Sequence, residues 1–73
     1  MRLKVEIARM MLAAIKMPRT DEEFLRFWER TENLVRWTDN STDGESAKVQ
    51  FEEEVAAKRE QAESEWRYHR SRA

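Results

Sequence analysis

Trp66-Arg67-Tyr68-His69-Arg70-Ser71-Arg72 is the richest run of recognition chemistry in the chain. Its guanidinium groups offer forked donors for carboxylates or phosphates, and its two large rings offer flat contact area at low entropy cost. A plainer role also fits: Trp66 can close an apolar stripe, while basic residues near a helix C-terminus complement the helix dipole. Trp28 and Trp37 lie nearly opposite each other on one helix, so one is expected in the core. Trp37, which falls off the main apolar arc, is the better interface candidate. The expected partner-binding residues are Trp37, Trp66, Arg67, Tyr68, Arg70 and Arg72. Alanine at Trp66 is then expected to weaken binding without unfolding the protein.

Other candidate groups point away from catalysis. His69 has no acid or nucleophile partner legible in the sequence. Glu52-Glu53-Glu54 are consecutive, and on a helix three consecutive side chains point in three directions, so they form a solvated face and not a cation site. Met10, Met11 and Met17 suit either an adaptable groove or the protein's own core, and the core is the expected place. There is no phosphate-binding glycine loop, metal-ligand spacing or nucleophile elbow. No enzyme activity, cofactor or metal is expected.

Composition narrows the class further. With 73 residues the chain makes one domain (1–73), and domains this small bury only about 60% of the surface of the unfolded chain. It has no Cys and a single His, which removes disulfides and thiolate sites as stabilisers. Self-association or docking on a partner is the remaining helper. Net charge is −1, which disfavours nucleic acid as the partner. The distribution is uneven: residues 1–19 are basic, 20–47 are acidic, and the last seven residues carry Arg67, Arg70 and Arg72 with no acid. The apolar run Met10–Ile15 is too short for a secretory or membrane segment, so a cytoplasmic protein without a membrane role is expected.

The elements that position these residues are helices. From Glu45 to Arg70 there is no Pro or Gly, and one thin apolar line runs through dense mixed charge: Ala47, Phe51, Val55, Ala62, Trp66. At about 100° per residue these share one face, and so narrow a stripe must lie against something. Thr20-Asp21-Glu22-Glu23 has the form of a capping box that starts a second helix. Its apolar arc holds Phe24, Phe27, Trp28, Thr31, Leu34, Val35 and Thr38. Asp39–Gly44 is a loop, with a second possible box at Thr42-Asp43-Gly44-Glu45 and Ser46 as a rival cap. Residues 2–17 read as a central, mostly buried helix that ends before Pro18. Leu3, Ile7, Met10, Ala14 and Met17 line one face, and Val5, Ala8, Met11, Leu12 and Ile15 widen it.

The expected architecture is all-α, a small three-helix bundle or a helical hairpin with a long C-terminal helix. Its helices span about 2–17, 21–37 and 45–69. The expected core is Ile7, Met10, Met11, Ala14, Phe24, Phe27, Trp28, Leu34, Val35, Phe51, Val55 and Ala62. The third helix should overhang the second and carry Trp66–Arg72 beyond it.

Arg2-Leu3-Lys4-Val5-Glu6-Ile7 also alternates polar and apolar residues, which is a strand period. Read that way, residues 2–37 resemble the ribbon-helix-helix DNA-binding proteins. The resemblance implies a dimer whose paired strands enter the major groove, with Arg2, Lys4 and Glu6 facing the bases. The primary expectation is different: a small interaction module, a regulator or inhibitor of the kind phages and other mobile elements encode. It would bind a larger protein, as a homodimer or other homo-oligomer or within a complex.

Overall fold

A computed structural model describes residues 3–72, and they form three helices: α1 (Lys4–Ala14), α2 (Asp21–Thr38) and α3 (Glu45–Arg72). Each helix packs against both others. The result is an elongated three-helix bundle of 45 × 17 × 16 Å.

The capping box at Thr20 forms. The Thr20 hydroxyl accepts the Glu23 N–H at 3.1 Å, and Glu23 reaches back to the Arg19 N–H at 2.9 Å, one residue earlier than a box usually closes. Three acids sit in the first turn of α2, where the dipole favours them. The apolar line of α3 also does what its spacing requires: Phe51, Val55 and Ala62 are buried, and Ala47 and Trp66 are half-buried. The helix packs against α2, whose Phe27, Thr31, Leu34 and Thr38 are all buried. Both threonines turn their hydroxyls onto their own helix, Thr31 to the Trp28 carbonyl and Thr38 to the Val35 carbonyl, each at 2.8 Å. Lys48 crosses from α3 to the end of α2, where it donates to the Val35 carbonyl and pairs with Asp39 at 2.8 Å. That supplies positive charge where the α2 carbonyls have no helical partner.

The first helix forms as expected, without the alternative strand, but differs from the expectation in two ways. It ends at Ala14, not at 17, because Ile15 is already extended and the chain carries Pro18 into a fully buried position. It is a helix from Lys4, with only Leu3 extended before it, so no strand exists among the described residues. The ribbon-helix-helix arrangement therefore lacks its groove-reading element. Lys4 and Glu6 lie on a helix, and Arg2 falls outside the described residues.

The second difference is rotational. The buried face of α1 is Val5, Ala8 and Leu12, with Ile15 packed beside them. Met10, Met11 and Ala14, expected in the core, are exposed, and Ile7 is half-buried. The face that turns inward has polar partners waiting for it. The Val5 N–H meets the Asp43 carboxylate at 2.8 Å, and the Lys58 ammonium donates to the Leu12 carbonyl. Arg9 pairs with Glu54 at 2.8 Å on the flank. Both ends of α1 are thus capped by residues far away in sequence. Burial lowers the Lys58 pKa from its ordinary value. Ala8, fully buried, lets the helix approach its neighbours closely.

Trp28 is the remaining correction to the core. It is 41% exposed, because the residue facing it on α3 is Arg59, whose guanidinium lies 4.1 Å from the ring centroid. Phe24 and Val35 are half-buried.

Candidate interaction surfaces

The C-terminal residues are largely engaged with one another and with α2. Trp66 stacks on Phe24 with centroids 4.5 Å apart, and its indole N–H donates to Asp21 at 2.8 Å. Arg70 lies 5.3 Å from the Trp66 centroid. Arg67 pairs with Glu63 at 2.7 Å. Arg72 lies over the Tyr68 ring, Tyr68 meets His69 edge-on, and His69 faces Glu65 at 3.5 Å. Trp66 therefore clamps α3 to the first turn of α2, and the overhang of α3 begins after it. Within the cluster Tyr68 is the large apolar residue that stays exposed, at 55%.

Trp37 lies at the opposite end of α2. Thirteen positions separate it from Phe24, on which Trp66 stacks, or roughly 20 Å along the helix. One contact surface does not readily hold both tryptophans. Trp37 is 40% exposed, with the Lys4 ammonium 5.6 Å from its ring centroid.

That Lys4 contact ties Trp37 to α1 and to a surface that periodicity alone misplaced. Leu3, Met10 and Met11 are about half exposed. With Ile7 and Ala14 they form a stripe on α1 that turns away from Val5, Ala8 and Leu12. Met11 and Ala14 of the stripe share a hollow with Arg30, Asn33 and Leu34 of α2. The missed signal was the double apolar character of α1, which has one face for the core and a second face left outside it.

The acidic run does not converge. Glu52 faces Lys48 at 3.7 Å, Glu54 bridges to Arg9, and Glu53 is exposed. No group of three or more metal-ligating side chains comes together among the described residues. No helix among them is long and apolar enough to cross a membrane.

The fold and surfaces define a class, a small three-helix bundle with an apolar helix face at its surface. No family model, curated protein or solved structure matches the chain.

Proposed function

We propose that this protein is a small interaction module, a regulator or inhibitor that acts by binding a larger protein, and that it docks through the outer face of α1 together with Trp37. The observation that carries the reading is the second apolar face of α1. Among the described residues nine apolar side chains, Pro18 included, are buried, while eight large ones stay exposed. Of those eight, Met10 and Met11 lie on α1, Leu3 is its N-cap, and Trp37 of α2 has the Lys4 ammonium of α1 over its ring. Isolated exposed apolar residues are ordinary, but a contiguous set on one helix marks an interaction surface. Methionines on it adapt to the shape of whatever covers them. A bundle with so small a core also gains stability from being covered. A second copy of the chain can serve as the cover, in which case the active form is a homodimer.

The test compares the wild-type chain with the Met11→Asp/Trp37→Ala variant, after circular dichroism has shown that both are folded. Molar mass is measured over a concentration series, and each chain is used as bait in crosslinked cells. Self-association or a captured protein that disappears with the variant supports the docking face. Binding that is equal for the two chains overturns it.

A further inference from the structure

Two hollows adjoin along the α1/α2 side of the bundle. The first, of about 430 Å³, is lined by Met11, Ala14, Ile15, Arg30, Asn33 and Leu34. The second, of about 860 Å³, lies around the linker between α1 and α2, and shares Ala14, Ile15 and Arg30 with the first. Together they make one groove. It is mainly aliphatic at the Met11 end and cationic at the linker end, where Lys16, Arg19, Arg26 and Arg30 face only Glu23 and Glu65.

Both acids are already occupied. Glu23 accepts the Arg19 N–H in the capping box, and Glu65 faces His69. Arg26 is paired with Glu22. The Lys16, Arg19 and Arg30 side chains have no ion pair among the described residues. Unpaired guanidinium groups beside an apolar hollow suit carboxylates presented on an apolar anchor.

We infer that this groove binds an acidic peptide segment of a partner protein, with apolar side chains in the Met11–Leu34 hollow and carboxylates on Lys16, Arg19 and Arg30. The inference rests on the docking face proposed above and names what that face selects. A peptide fits better than a nucleic acid. The first hollow has no aromatic ring in its lining on which a base could stack. The net charge of −1 gives a polyanion no long-range attraction. The cations at the linker end would set selectivity and association rate, while the apolar hollow would hold the segment.

The experiment selects binders from a displayed library of random 12-residue peptides, with the full chain as bait. Enriched peptides should combine apolar anchors with Asp or Glu. A fluorescently labelled enriched peptide should lose at least tenfold in affinity to the folded Arg19→Glu/Arg30→Glu variant, and should weaken as salt rises. The same variant used as bait should enrich Lys and Arg instead. Failure to enrich any peptide, enrichment without acids, or acidic peptides that bind both chains equally overturns the inference. So does displacement of the peptide by an equal concentration of single-stranded oligonucleotide, which would reassign the groove to phosphates. If protein capture depends on Met11 and Trp37 but ignores Arg19→Glu/Arg30→Glu, the docking face stands and the acidic partner falls. If capture ignores both pairs, the docking face itself falls.

Discussion

The Asp43 carboxylate accepts the backbone N–H of Val5 at 2.8 Å, across 38 positions of chain. Leu3, at the N-cap of α1, has no side-chain acceptor for the first turn. The loop between α2 and α3 provides one instead. A residue that looks in sequence like part of a cap for its own helix is used on another.

Removing that cap should loosen α1 first. Asp43→Ala is expected to cost about 1 kcal/mol, which is about 4–8 °C in melting temperature for a domain of this size. Asp43→Asn should recover part of it, since the amide oxygen still accepts. Thermal melts give the magnitude. Hydrogen exchange should show the amides near Val5 losing protection while those of α2 keep theirs.

Gly44, next to Asp43, has φ +98°, in the left-handed region. A Cβ there would meet nothing within 4 Å, so any cost of substitution comes from the backbone. Gly44→Ala should destabilise by about 1–2 kcal/mol, and Gly44→Asn by less. Urea denaturation should show the midpoint falling with an unchanged slope.

Thr31 is fully buried, donates to the Trp28 carbonyl and accepts from Arg59 Nε at 2.9 Å. Thr31→Val keeps the shape and strands the Arg59 donor, so a loss of about 1–3 kcal/mol is expected. Thr31→Ser keeps the hydroxyl and should lose about 1 kcal/mol for the missing methyl group. If Thr31→Val proves as stable as wild type in urea, the Arg59 bond contributes nothing to the fold.

Trp66 takes the plainer of its two expected roles, closing the apolar stripe of α3 against Phe24, and adds a bond to Asp21. Trp66→Ala removes the Phe24 stack and the Asp21 bond together and should free the end of α3 from the start of α2. Trp66→Phe keeps a ring on Phe24, an interaction worth about 0.5–1.5 kcal/mol beyond its buried area. Exchange protection around Phe24 should fall in the alanine variant and largely return in the phenylalanine one, with Val5 unaffected in both. A uniform loss across the bundle would instead make Trp66 a part of the global core.

Much of the scaffold was readable from local pattern. The Thr20 box marks its helix because both partners lie within four positions of each other. The Phe51–Val55–Ala62 line marks the buried face of α3 because everything around it is charged. The candidate surface was less readable. Trp37 stood out for lying off its arc, but Leu3, Met10 and Met11 were hidden among the apolar residues on the rest of α1. Trp28 read as core because the Arg59 opposite it is invisible to a helical period.

The sequence by itself determined three helices, their order, the turn at Pro18, the loop before Glu45 and the inward faces of the second and third. These follow from neighbours within a turn or two, where capping, φ restriction and periodicity act. Only the tertiary structure decided which way α1 turns. Both of its faces are apolar, so burial alone separates them weakly. Asp43 and Lys58 break the tie, because an unmet backbone group at a buried helix end costs more than a methionine left at the surface. That choice puts Val5, Ala8 and Leu12 inside and leaves Leu3, Met10 and Met11 about half exposed.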